Sequence, residues 1–295
     1  MRFAVLGVGG VGGLLGALLA RGGDSVVFLH DRAPHEIRVE SKRFGDFSAA
    51  VQSQPVLEGP VDAVLVTVKA TQLDDALLRV PASEVGDADV IPFLNGLEHI
   101  ERLRGVYGAR VRPATIAVES TRVAPGVIQQ TSPFTFIQMT GPQAVADRFK
   151  AAGIDVRMRD DEMAMLWDKY AILAPMALLT THARANIGSV RSQRRDEIDA
   201  VVDEFIAVAA ADGVTIERAT VMRMVDGVPD AFETSMQRDD AAGRPTEVDA
   251  LGGAMLRRAA KAGIEVPVTT KLVDEIRTRS PLPASPAKLG RSQDS

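Results

Sequence analysis

The chain has 295 residues, 46% hydrophobic and 25% charged, with a formal net charge of −5. That length suits two domains with a substantial buried core, and no Lys/Arg block marks a nucleic-acid or anionic-membrane partner. The absence of cysteine excludes disulfides, thiolate metal sites and a cysteine nucleophile, and His30, His35, His99 and His182 lack metal-ligand spacing, so no metal is expected.

The start resembles a secretion signal only superficially: six glycines from Gly7 to Gly16 break its apolar stretch, and it lacks a charged lead-in of any length. No apolar run reaches membrane-spanning length, so a cytoplasmic protein is expected. Phe3–Leu6 predicts a short strand, followed by Gly7-Val8-Gly9-Gly10-Val11-Gly12. Leu14, Leu15, Ala17, Leu18 and Leu19 then recur at helical density up to Gly22-Gly23, and Ser25–Leu29 predicts a second strand ending at His30-Asp31-Arg32. Further buried-strand runs are Val61–Val68, ending at Lys69, and Val90–Leu94, ending at Asn95-Gly96, with helical stretches between them. Such alternation indicates a parallel sheet covered on both faces. Thr115–Val118 and Thr135–Met139 are β-rich and flank Pro125-Gly126. From Asp161 to about Arg277 the pattern is helical, with breaks at Gly188, Gly213, Gly227, Gly243 and Pro267. The fold class expected is α/β: a Rossmann-type, doubly wound dinucleotide domain over 1–160, then an all-helical substrate and catalytic domain over 161–280. The proline-rich tail 281–295 is expected to be disordered.

The glycine loop is the sharpest local signal. It follows a strand, opens a helix and has Asp31 19 positions after its last glycine, which is the context that gives G-x-G-x-x-G its meaning. Gly7 would allow the tight turn, Gly9 the approach of backbone N–H groups to a pyrophosphate, and Gly12 close packing of helix on strand; Val8, Gly10 and Val11 complete the loop. The helix N-terminus favours the phosphate charge. Asp31 would bind a ribose diol and favour NAD, whereas Arg32 would pair with a 2′-phosphate and favour NADP; the residues leave both open.

Lys69 ends a strand on the face where α/β sheets bind ligands, and reads equally as a surface charge. Lys169 has Leu166 at i−3, Leu173 at i+4 and Ala177 at i+8, so it shares the apolar face of its helix. It either snorkels to water or lines a cleft, where desolvation would lower its pKa and make it a proton donor. Seven of the 34 basic residues are lysines, and a lysine is suggestive here because arginine effectively never deprotonates.

These motifs together resemble the ketopantoate reductase (2-dehydropantoate 2-reductase) family over about residues 1–275. The match comprises Gly7–Gly12, Val68-Lys69-Ala70-Thr71-Gln72, Leu94-Asn95-Gly96-Leu97 and Leu166-Trp167-Asp168-Lys169. It continues through Ser235-Met236-Gln237-Arg238-Asp239, Gly243-Arg244-Pro245-Thr246-Glu247-Val248-Asp249 and Gly263-Ile264-Glu265-Val266-Pro267. The resemblance implies reduction of a small 2-keto acid, ketopantoate by default, with NADP as cofactor and NAD as the alternative. It implies that Lys169 is the general acid, that Glu247 holds the nascent hydroxyl and the ribose side, and that Asn95 bridges cofactor and substrate. Ser235 would bind the substrate carboxylate and Lys69 would touch the cofactor. No nucleic-acid or membrane partner is implied, and a homodimer is the assembly carried with it. Taken singly, Glu247 also reads as a first-turn acid, Ser235 as a cap and Asn95-Gly96 as a turn. The competing readings are another two-domain hydroxy-acid dehydrogenase and a non-catalytic dinucleotide-binding protein; the block from Ser235 to Asp249 favours the ketopantoate reductase reading over the other dehydrogenase.

The sequence departs from the family in one place that matters. Asparagines usual four and eight residues after the catalytic lysine are replaced by Leu173 and Ala177, which would line the substrate pocket. Each lost hydrogen bond costs about 0.5–1.5 kcal/mol, so a more apolar pocket and a less polar 2-keto acid are expected. Pro175 should kink this helix or remove one of its hydrogen bonds. Glu119-Ser120-Thr121 receives no role.

Overall fold

The computed structural model describes residues 1–32 and 34–279; the tail expected at 281–295 lies outside the described residues. β1 (Arg2–Leu6), α1 (Gly10–Arg21) and β2 (Ser25–Leu29) form the predicted strand–loop–helix–strand unit. Where the sequence reading assigned no element, β3 (Glu36–Ser41) and β4 (Phe47–Ala50) pair antiparallel, and β5 (Gln52–Gln54) returns beside β2. The chain continues through β6 (Ala63–Val66), α2 (Leu73–Leu77), α3 (Ala82–Val85), β7 (Asp89–Pro92) and α4 (His99–Tyr107). The result is a parallel sheet in the order β5-β2-β1-β6-β7. Its inner strands β2, β1 and β6 are runs of buried apolar residues because both faces are covered, while the edge strand β5 is polar. In β1, Phe3 and Val5 join the core under α1, while Ala4 and Leu6 join the core under α2 and α4, with Leu73, Leu103 and Tyr107.

β8 (Ala114–Ala117), β9 (Ser120–Ala124), β10 (Val127–Gln130), β11 (Phe136–Met139), α5 (Gln143–Ala151) and β12 (Asp155–Met158) complete the sheet-bearing part. They build two smaller sheets, β4-β3-β10-β9 and β12-β11-β8. The hairpin of β9 and β10 turns at Pro125-Gly126 and lies against α1, with Ile128 in the core shared with Leu14, Leu15 and Leu18.

Helices alone follow: α6 (Glu162–Ala183), α7 (Ile187–Gln193), α8 (Arg195–Ala211), α9 (Arg218–Gly227), α10 (Ser235–Ala241), α11 (Ala254–Ala262) and α12 (Pro267–Arg279). A π-helical turn at Asp249–Gly253 leads into α11. α6 is the axle of this region. Asp161 caps it by accepting from Ala164 N at 2.9 Å, an interaction worth about 0.5–2 kcal/mol. Most of its surface is buried, including Trp167, Tyr170, Met176 and Leu179, as expected for a helix apolar on nearly all sides. The helix runs past Pro175 to Ala183 without interruption. The proline simply lacks the N–H that would have reached the Ala171 carbonyl.

Leu97 and Ile100, just beyond β7, belong to the helical core with Met165 and Leu166. The segment entering α4 is therefore shared by both regions. Two paired contacts fasten it: Arg104 to Glu162 at 2.8 and 2.7 Å, and Arg257 to Glu98 at 2.8 and 2.7 Å. Among the described residues no helix is long and apolar enough to cross a membrane, and no cluster of three or more His, Asp or Glu is arranged to hold a metal.

Candidate active site

The glycine loop joins the end of β1 to the start of α1. Gly7 turns at φ +108°, and a Cβ on Gly12 would lie 2.0 Å from the Gly7 carbonyl oxygen, so helix and strand approach too closely for any side chain. A Cβ on Gly9, by contrast, would meet nothing within 4 Å. The first turn of α1 carries no acidic residue, so its N–H groups and dipole stay available to an anion. An open backbone surface at the helix start fits a dinucleotide pyrophosphate. Ser120, left without a role by the sequence reading, donates from Oγ to the Gly10 carbonyl at 2.9 Å and seats the β9 hairpin on the loop. Arg122 Nη1 donates to the Val8 carbonyl at 3.3 Å.

A groove of about 500 Å³ opens beside this loop, with Val8, His30, Arg32, Pro34 and Arg122 in its lining. Asp31 faces elsewhere. Both its carboxylate oxygens accept from Arg79, at 2.9 and 2.7 Å, and that hydrogen-bonded guanidinium lowers its pKa. Val11 packs half-buried against the core beneath the loop.

Beyond the ends of β6 and β7, residues distant in sequence meet. Lys169 Nζ donates to Asn95 Oδ1 at 2.9 Å, and Asn95 Nδ2 donates to Glu247 Oε2 at 3.3 Å. Glu247 Oε1 accepts from the backbone N–H of Ala70 at 3.0 Å. Glu247 is thus buried yet hydrogen-bonded on both oxygens. Gly96 allows this approach: its φ is +89°, and a Cβ there would lie 2.6 Å from the Ala250 carbonyl. Burial lowers the Lys169 pKa to about 8, with the Glu247 carboxylate opposing the shift. The Lys169 ammonium is thus turned inward to a half-buried amide rather than out to water.

Lys69 also links the two regions, pairing with Asp239 Oδ2 at 2.5 Å, while Asp239 Oδ1 accepts from Arg244 Nε at 2.9 Å. Ser235, four residues before Asp239, is exposed at the start of α10 and its hydroxyl makes no hydrogen bond among the described residues. The cap of that helix is Thr234, which accepts from Gln237 N. Leu173 is half-buried one turn beyond Lys169, whereas Ala177 is enclosed in the helical core at 1% exposure. The structure thus brings Lys169, Asn95 and Glu247 into one network and Lys69 beside it. Ala177 lies behind this surface. Sequence reasoning missed Asp239, Arg79 and the Ala70 amide. Asp239 lay inside a quoted motif, but nothing local marks a backbone N–H as a partner for Glu247.

The family models "Ketopantoate reductase PanE/ApbA" and its C-terminal counterpart match residues 3–139 and 161–280. A 2-dehydropantoate 2-reductase of Caulobacter vibrioides is 30% identical over 283 residues, covering 92% of this chain and 96% of that protein. The chain belongs to the ketopantoate reductase family. A PanE/ApbA family ketopantoate reductase from Ralstonia eutropha JMP134 superposes with a TM-score of 0.86 at 26% identity, covering 95% of this chain and 98% of that one. D-mandelate dehydrogenase with NADH and anilino(oxo)acetate also has a TM-score of 0.86 and covers 95% of this chain and 98% of its own. At 20% identity it shares the fold. The family assignment makes the chain an NAD(P)-dependent oxidoreductase.

Proposed function

We propose that this ketopantoate reductase family member reduces a 2-keto acid to the 2-hydroxy acid with NADPH, using Lys169 as general acid. The observation that carries this reading is the Lys169 ammonium, held on Asn95 Oδ1 with its pKa lowered to about 8. A donor whose pKa lies near the working pH transfers its proton most effectively.

The division of labour follows residues 1–160 and 161–280. The backbone of Gly7, Val8, Gly9, Gly10, Val11 and Gly12 would hold the pyrophosphate, with Lys69 and Asn95 toward the nicotinamide end. Arg32 and Arg122 in the groove favour a 2′-phosphate, and the engagement of Asp31 by Arg79 removes the competing ribose ligand. When bound, the reduced nicotinamide supplies the hydride to the carbonyl carbon. As the C=O π pair moves onto oxygen, Lys169 Nζ gives that oxygen a proton and becomes neutral, later regaining the proton from solvent. Asn95 fixes the Lys169 rotamer, and Glu247 orients Asn95 and keeps a negative charge near the ammonium. Ser235 is assigned to the substrate carboxylate.

Ketopantoate is the reference substrate, and Leu173 beside Lys169 favours a less polar side chain. NADPH and NADH oxidation with ketopantoate and with apolar 2-keto acids tests both parts. Leu173→Asn should raise kcat/KM for ketopantoate relative to the apolar acids by about threefold to tenfold, the worth of one hydrogen bond. A wild-type enzyme strongly preferring ketopantoate would refute the apolar preference, and no turnover of any 2-keto acid would refute the reductase reading.

A further inference from the structure

His99 opens α4 four residues after Asn95, and only 6% of it is exposed. Neither ring nitrogen has a hydrogen-bond partner. A neutral imidazole carries one donor and one acceptor, and native proteins rarely bury both unpaired unless water or function takes them up. The location adds weight. Leu97 and Ile100, which flank His99, belong to the same core as Met165 and Leu166, one turn before Lys169 on α6, and the Lys169 charge acts on the His99 ring. The Lys169 ammonium has three N–H donors, and Asn95 Oδ1 is the single acceptor it meets among the described residues. One unpaired acceptor and three unpaired donors, the His99 ring N–H among them, thus lie in this buried region.

We infer that His99 is a positioning residue for Lys169: its acceptor nitrogen takes up, through one ordered water, an ammonium proton that Asn95 leaves free. With one proton on Asn95 and one on this water, the third points toward the substrate oxygen. The ammonium is then held with one N–H bond aimed at the substrate oxygen, which is preorganisation by hydrogen bonding. Such a water needs polar partners in a buried space, and His99, Lys169 and the Asn95 side chain supply them. The charged groups around this region are otherwise committed: Glu247 to Asn95 and Ala70, Glu98 to Arg257, and Asp168 to Arg159. Burial, and then the charge of Lys169, lower the His99 pKa to about 3, so the ring stays neutral and keeps its acceptor at working pH.

This inference rests on Lys169 being the general acid, and its test separates the two. His99→Leu should fold, since a buried neutral ring is exchanged for an apolar side chain in an apolar core, but kcat should fall about tenfold or more, the scale of one hydrogen bond to a charged group. KM for the cofactor should stay unchanged. The alkaline limb of the pH profile should move to lower pH, because the charged form of Lys169 loses an acceptor, and His99→Gln should restore much of both. A His99→Leu enzyme with wild-type kcat and pH limb would overturn the inference. The second arm is ¹⁵N spectroscopy of the four histidines in the full chain. One ring should not titrate between pH 5 and 8, and the hydrogen-bond shift of its bare nitrogen should vanish in Lys169→Met. A ring unresponsive to that substitution would equally overturn it. This arm needs no turnover: if no 2-keto acid is reduced, the reductase reading fails, and the spectrum alone decides the pairing.

Discussion

The candidate site presents backbone at the glycine loop and side chains at the Lys169 network. At the glycine loop, the working surface is a positive-φ turn at Gly7, open space over Gly9 and a close approach at Gly12. In the network, Asn95 after β7, Lys169 on α6 and Glu247 come from three separate segments, Asn95 standing 74 positions from Lys169 and 152 from Glu247. A backbone surface is spoiled by adding atoms, and a side-chain network by removing them. The two parts should therefore fail in opposite ways when mutated.

The largest effect is expected in the side-chain network. Lys169→Ala should lower kcat by about 10²–10⁴-fold, the usual worth of a positioned general acid. Calorimetry should show no loss of Tm, because a desolvated charge is removed, and the dissociation constant for NADPH should not change. The glycine loop should behave in reverse. Gly12→Ala places a methyl against a backbone oxygen and should cost about 1–3 kcal/mol of stability as overpacking, together with cofactor affinity. Gly9→Ala has room for its methyl and should keep Tm while weakening NADPH binding, since the methyl occupies the approach to the phosphate. Titration of nicotinamide fluorescence beside thermal melts reads both. Arg32→Ala should be milder, reducing the preference for NADPH over NADH by about tenfold, one charge-assisted hydrogen bond. Arg79→Ala frees the exposed Asp31 and should move Tm least of all, while increasing the relative affinity for NADH.

The same contrast explains what the sequence disclosed. Phe3–Leu6, the glycines and Ser25–Leu29 are contiguous, and a backbone site made from one strand–turn–helix is written in order; the parallel sheet and α1 could be read directly. β3 and β4 were not legible: Glu36–Ser41 is charged at alternate positions, and its pairing with β10 is set by a segment 89 residues away. In the network, the spacing of Lys169 with Leu166 and Leu173 left its direction undecided, because the acceptor that settles it sits after β7. The resemblance to a family supplied Lys169, Asn95 and Glu247 together. It could not supply the Ala70 amide, or the diversion of Asp31 to Arg79, which depends on an arginine 48 residues further on. Ala177 shows a limit of helical spacing. It lies within the arc predicted from Lys169, yet neighbouring helices cover it.

The proton assignment is tested most directly by kcat against pH for the wild type and Lys169→Ala, followed by NADPH oxidation on the best 2-keto acid. A lysine acid works protonated, so with a pKa lowered to about 8 wild-type kcat should be flat on the acid side and fall as pH rises through that region. Lys169→Ala should be slow at every pH and should lack that limb, with unchanged NADPH affinity. A Lys169→Ala enzyme that keeps both the wild-type rate and the alkaline limb would contradict the account.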